Sequence, residues 1–170
     1  MPRRTAHVLA QAKINVWLDV VRPRPDGYHD IFTLFHRVDL SDEVTVRVSD
    51  DRARSLNATG PRLPKEGLGA PGKNLAYRAA EEFHAQTGWP RGFEIDLVKN
   101  IPVGAGLGGG SADAGAVLRA LNALAPRPLE ADALETVARS RGADVPFLAG
   151  GEGAAVAAGR GDPLQPSPYD

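Results

Sequence analysis

The 170-residue chain contains no cysteine, which excludes disulfides, thiolate metal sites and a cysteine nucleophile. It also lacks a surplus of either charge, since 20 Lys and Arg stand against 21 Asp and Glu for a formal net of -1. That balance removes any broad electrostatic attraction to nucleic acid or to an anionic membrane and leaves room only for a local basic patch. No run approaches the roughly 20 apolar residues of a spanning helix. The opening Met-Pro-Arg-Arg-Thr-Ala-His has no apolar stretch long enough for a secretory signal. A soluble, cytoplasmic protein with no nucleic-acid or membrane partner is the expectation, with oligomeric state left open. The 42% hydrophobic content suits one core and about one domain.

Glycine is abundant, and its placement is the most informative feature. Between Ile101 and Ser111, five glycines (Gly104, Gly106, Gly108, Gly109 and Gly110) occupy seven positions, between a strand-like segment and a helix-like one. A bare backbone lets a ligand come close. A loop running straight into a helix also offers free N–H groups and the positive end of the helix dipole, which suit phosphate. A flexible linker is the plain alternative, but linkers are seldom clamped between regular elements. The run is no Walker loop, because Gly110-Ser111 stands where Lys-Ser/Thr is needed. Gly104, Gly106 and Gly109 do have the G-x-G-x-x-G spacing of dinucleotide folds. Those folds require a second strand with an acidic residue about 20 residues on, where this chain has Pro126, Pro128 and a helical segment carrying Glu130 and Asp132.

Periodicity places the remaining pieces. Residues 8–21 alternate as one or two strands with Ala12, Ile14, Val16, Leu18 and Val20 on one face and Lys13, Asn15, Trp17 and Asp19 on the other. Arg22-Pro23-Arg24-Pro25-Asp26-Gly27 breaks the strand. Residues 31–39 and 43–49 predict two more strands joined as a hairpin at Ser41-Asp42. After a loop over 60–72, Leu75, Ala76, Ala79, Ala80 and Phe83 make a helical stripe ending near Gly88. A strand over 93–98 leads into the glycine loop, and helices are expected at about 111–124 and 130–140. A small-residue segment near the end returns to the sheet, and the proline-rich residues 162–170 suggest a linker. Strands followed by helices argue for an α+β fold, with helices packed on a mixed, mainly antiparallel sheet.

Several side chains carry candidate chemistry. Ser111 is expected to cap the helix, with a hydroxyl also able to meet phosphate or its metal. Asp113 would repel phosphate unless it turns away or reaches Mg²⁺ through water. Lys13 and Asn15 emerge about 7 Å apart on one strand face, either converging on a ligand or lying on a solvated edge. Asp144, before Val145-Pro146-Phe147, either pairs with a cation or caps a turn. Tyr28 and His29 are either an aromatic and hydrogen-bonding platform or a turn packed on the sheet.

Four blocks in order, Ala12-Lys13-Ile14-Asn15, Asp26-Gly27-Tyr28-His29, Pro102 to Ser111, and Gly142-Ala143-Asp144-Val145-Pro146-Phe147, resemble the GHMP kinase superfamily over essentially the whole chain. The second and fourth blocks resemble the branch acting on a cytidyl diphosphate sugar alcohol. The resemblance implies an α+β N-terminal ATP-binding domain over residues 1–160, with 161–170 leading toward a second domain. It implies ATP and Mg²⁺, with the phosphates cradled by Pro102, Val103, Gly104, Ala105, Gly106, Leu107, Gly108, Gly109, Gly110, Ser111 and Ala112. By the same resemblance Asp144 takes the acceptor's proton beside Lys13. Asn15 places the polyol, and Tyr28 and His29 take the cytosine. Asn74 and Lys99 would approach the nucleoside. Ala112 stands where the family usually has a second serine, and the resemblance covers only the nucleotide-binding half. The competing readings are a dinucleotide-binding oxidoreductase and a ribosomal-protein-like binding module.

Overall fold

A computed structural model describes residues 4–23, 25, 27, 29–159 and 164–167. Two long strands, β1 (Arg4–Pro23) and β2 (His29–Ser49), pair antiparallel along their whole length. On its other side β2 divides its partners. Residues 43–49 pair with β4 (Gly92–Val98), which pairs in parallel with β3 (Arg54–Thr59), while residues 31–36 pair with β5 (Ala154–Gly159). A short β6 (Leu164–Pro166) follows at the edge of β5. One parallel pair among antiparallel ones makes the sheet mixed and mainly antiparallel, in line with the α+β expectation.

Four helices, α1 (Leu75–Thr87), α2 (Gly109–Leu124), α3 (Ala131–Arg139) and α4 (Val145–Ala149), complete the domain. They share one buried cluster with the sheet, in which Val44, Val46, Val48, Phe93, Ile95 and Leu97 meet α1's Ala76, Ala79, Ala80 and Phe83 and α2's Val117, Leu118 and Leu121. Residues 43–49 of β2 and 93–98 of β4 show the period-2 burial of a half-covered sheet, and α1 shows a stripe at period 3.6. α1 ends as its residues require, with Gly88 at φ 71.

Several expectations are corrected. The hairpin at Ser41-Asp42 does not exist: β2 runs straight through, and Ser41 pairs with Gln11 of β1. Asp42 is fully buried, its Oδ1 accepting the N–H groups of Asn100 and Ile101 just after β4 and its Oδ2 accepting from Lys99 Nζ. Ala12, Ile14, Val16, Leu18 and Val20 do not form one buried face: Ala12 is buried, whereas Ile14, Val16, Leu18 and Val20 are exposed, as is Trp17 of the other face. The register shifts between Gln11 and Lys13, where β2 residues 38–40 stand against Ala12, and Ala12 and Lys13 are both buried. Further shifts fall between Asn15 and Trp17 and between Val20 and Arg22, and each such irregularity re-aims the side chains that follow. β3 has no counterpart in the sequence reading, and residues 164–166 of the expected linker are strand.

Candidate active site

A hollow of about 400 Å³ opens where β1, the loop after β4, and the starts of α1, α2 and α4 meet. Lys13, Asn74, Lys99, every residue from Ile101 to Ser111, Asp113 and Asp144 line it. The loop turns through Gly104, Gly106 and Gly108 at φ 77, 77 and 70, which side chains rarely adopt. Gly108, not Ser111, is the residue before α2. Ser111 therefore lies in the first turn, its hydroxyl at the hollow rather than in a cap. A polar side chain was expected at the cap, but the left-handed turn there favours glycine.

Among the described residues, the N–H groups of Gly106 to Ser111 donate to no carbonyl outside the helix. Exposed or half-buried, they sit at the positive end of a 16-residue helix, an arrangement built for an anion. Ala112 is not part of it: its side chain is buried and its N–H donates to Gly108 O at 2.8 Å. A second serine hydroxyl at 112 would start from this buried position.

Lys13 faces the loop from β1. Its backbone N–H donates to Leu107 O at 3.0 Å, fastening strand to loop. The bulge turns its side chain inward, where Nζ donates to Asn15 Oδ1 at 2.7 Å, lies 3.5 Å from Asp144 Oδ2, and stands 5.4 Å from the Phe35 ring centre. Its side chain is 8% exposed against 31% for Asp144, so the carboxylate is open to a ligand while the ammonium is fixed behind it. Asp144 precedes α4 but makes no side-chain cap, so its oxygens remain turned to the hollow. Asn15 is held from behind. Its amide donates to Thr33 Oγ1 at 2.7 Å, and the buried Thr33 hydroxyl donates to Trp17 O at 2.7 Å.

Two arginines that sequence reading missed hold α4, and so Asp144, in place. Arg37 donates to Phe147 O and Gly150 O at 2.6 and 2.9 Å, and Arg119 donates to Leu148 O and Leu9 O. Both satisfy orphan carbonyls at the end of α4. Burial pulls the Arg119 guanidinium down to about 10, with the like charge of Arg37 adding to the fall. Burial likewise lowers Arg37, against the pull of Glu152. Neither stands in a motif, and only the folded chain brings residues 37, 119 and 148 together.

One expected site residue lies elsewhere. His29 is at the far end of β2, six residues from the Phe35 that pairs with Asn15, a span of roughly 20 Å. It is exposed and does not line the hollow. Tyr28 lies outside the described residues. Asn74 lines the hollow while its Oδ1 caps α1 through Ala76 N–H and Tyr77 N–H. Among the described residues no three Asp, Glu, His or Cys side chains cluster to cage a metal, and Ser111 carries the one side-chain oxygen of the stretch from Pro102 to Ser111.

A loop of open amides facing a Lys–Asp pair from an α+β sheet is similar to the N-terminal domain of GHMP kinases. Residues 74–152 match the family model described as GHMP kinases N terminal domain. The chain is 46% identical over 162 residues to 4-diphosphocytidyl-2-C-methyl-D-erythritol kinase of Desulfotalea psychrophila, covering 94% of this chain and 52% of that protein. It is 49% identical over 159 residues to the protein of the same name from Anaeromyxobacter dehalogenans, covering 94% and 49%. A crystal structure of 4-(cytidine 5'-diphospho)-2C-methyl-D-erythritol kinase superposes with a TM-score of 0.76 at 43% identity, covering 95% of this chain and 55% of that one. The chain thus spans about half the length of the relatives it matches. Among the described residues no helix is long and apolar enough to cross a membrane.

Proposed function

We propose that this chain is the ATP-binding part of a kinase that transfers the γ-phosphoryl group of ATP to the 2-hydroxyl of 4-diphosphocytidyl-2-C-methyl-D-erythritol. The observation that carries the reading is the Asp144 carboxylate 3.5 Å from Lys13 Nζ, in the same hollow as the free amides of the glycine loop. Phosphoryl transfer asks for alignment and charge stabilisation more than for covalent chemistry. The loop amides and the α2 dipole hold the phosphates. Lys13 keeps Asp144 paired and offsets charge on the group in transfer, and Asp144 accepts the proton of the attacking hydroxyl. Asn15 orients Lys13 and meets the polyol. Tyr28 and His29 would take the cytosine, His29 from the start of β2. An extended substrate reaching from Asp144 along the two strands accounts for the distance to His29.

Mg²⁺ suits a site with the Ser111 hydroxyl and no protein cage, because that ion keeps waters and is carried largely by substrate phosphates. It would shield the phosphate charge on which the reaction depends. In this reading residues 1–160 are the ATP-binding domain, and a chain that spans about half the length of its relatives turns over weakly or not at all. Calorimetric titration with Mg·ATP, paired with a coupled assay on the cytidyl substrate, tests the proposal. Asp144→Asn should retain nucleotide binding and lose any turnover. Turnover that survives Asp144→Asn, or a chain that binds no ATP, defeats it.

A further inference from the structure

Thr33 is fully buried in β2 and does not line the hollow, yet it sets the direction of a hydrogen-bond chain that ends at Lys13. Two residues along the same strand face, the Phe35 ring lies 5.4 Å from the Lys13 ammonium and stacks at 5.2 Å on Phe147 of α4. The inward face of β2 therefore seats the ammonium twice, directly by the ring and indirectly through the Asn15 amide. Valine has the shape of threonine and no hydroxyl to desolvate, so packing alone gives no reason for threonine at this position.

The direction of each bond follows from the far end of the chain. The Trp17 carbonyl can only accept, so the Thr33 hydroxyl gives its one proton there, at 2.7 Å. Its oxygen then has lone pairs alone to offer, and the group it meets at 2.7 Å is the Asn15 NH2. Asn15 Oδ1 is thereby turned to Lys13 Nζ, 2.7 Å away, and presents an acceptor to a cation. With the amide reversed, its NH2 would stand against the ammonium, donor against donor. An ammonium has three N–H groups. Asn15 Oδ1 takes one and the Asp144 carboxylate, 3.5 Å away, attracts another, which leaves a third for an oxygen arriving in the hollow.

We propose that Thr33 is a positioning residue for the phosphoryl group in transfer: by fixing which end of the Asn15 amide faces Lys13, it aims the ammonium between Asp144 and the terminal phosphate. The inference rests on the reading of Lys13 as the cation that offsets charge on that group. Without the hydroxyl, Trp17 O loses its partner and the Asn15 amide loses its anchor, so the amide is free to turn its NH2 toward Lys13. The ammonium is then pushed from its place over Phe35, and the terminal phosphate loses its charge partner. The loop amides stay where they are, because Lys13 is fastened to the loop by its backbone N–H on Leu107 O. Binding of a nucleoside triphosphate therefore suffers while binding of the diphosphate does not.

Calorimetric titration of the 170-residue chain with Mg·ADP and with a non-hydrolysable Mg·ATP analogue tests this through the ratio of the two affinities. Lys13→Met should lower the preference for the triphosphate. Thr33→Val should lower it about twofold to tenfold, with Thr33→Ser close to the unsubstituted chain. Added to Lys13→Met, Thr33→Val should change the ratio no further, as expected of a residue that acts through the lysine. Should Thr33→Val not fold, the unsubstituted chain carries the test: NMR should show nuclear Overhauser contacts between the Asn15 Nδ2 protons and the Thr33 methyl group, with at least one of those protons protected from solvent exchange. A ratio unmoved by Thr33→Val, an equal weakening of both nucleotides, or an Asn15 NH2 found on the Lys13 side overturns the inference and leaves the phosphate site standing. A ratio that Lys13→Met leaves unchanged overturns the reading of Lys13 as well, and absence of any nucleotide binding overturns the phosphate site with them.

Discussion

Replacing Gly115 with Ala should destabilise the chain, although the same change at an open helical position would stabilise it. Gly115 is in the middle of α2, where a Cβ would lie 2.6 Å from Leu148 C, 2.7 Å from Leu148 O and 2.8 Å from Ala149 N. These are backbone atoms of α4, so no flexible side chain can yield. Reaching ordinary contact at 3.4 Å from 2.6 Å requires a shift of 0.8 Å, and overpacking of this kind costs about 1–3 kcal/mol. Alanine returns about 1 kcal/mol of helix propensity, leaving a net loss of up to about 2 kcal/mol. Urea unfolding followed by tryptophan fluorescence should show a lower midpoint with an unchanged slope. The displacement has a second consequence, because α4 follows directly on Asp144. If the proposed kinase reading holds, a shift of nearly 1 Å in Asp144 should lower turnover on the order of a hundredfold. A midpoint equal to or above that of the unsubstituted chain would refute the claim that α2 and α4 touch backbone to backbone here.

Gly108→Ala should weaken nucleotide binding measured by calorimetry, since it puts a side chain at φ 70 and a Cβ 3.1 Å from Lys13 Cγ and Cε, a strain of about 1–2 kcal/mol. Thr33→Val keeps the shape but strands Trp17 O and the Asn15 amide. It should cost about 1–3 kcal/mol in thermal unfolding, and Thr33→Ser should recover most of that. For Asp113 the folded carboxyl sits at about 7 against an ordinary 3.8, so its contribution to stability is complete below about 3.8 and is lost as pH rises through 7. Relative to Asp113→Asn, the unsubstituted chain should lose up to ~4 kcal/mol between pH 4 and pH 8 in denaturant titrations.

Local signals were the legible ones. The glycine loop, the α1 stripe with its terminal Gly88 and the alternation of residues 93–98 each carry their structure within a few residues, and the structure has them close to where the sequence reading puts them. The burial along the long β1–β2 hairpin was illegible because three register shifts, the first between Gln11 and Lys13, break the alternation, and nothing in Ala12-Lys13-Ile14-Asn15 marks the first of them. Asp42 read as a turn residue because its chemistry fits turns, and only the carbonyl-free amides of Asn100 and Ile101, nearly 60 residues later, explain its burial. β3 went unread because a short strand beside polar loops has little periodicity to show. The site followed the same division. Its loop was visible as a motif, whereas Arg37, Arg119 and Thr33 support it through contacts that exist only after folding.

Amide chemical shifts of the chain on addition of Mg·ATP report where nucleotide phosphate binds. If the bare loop receives it opposite Lys13 and Asp144, the largest changes fall on Gly104 to Ser111, with smaller ones at Lys13 and Asp144. Changes concentrated instead on the separate cavity lined by Arg119, Leu134 and Glu135, with the glycine loop unmoved, would contradict that placement.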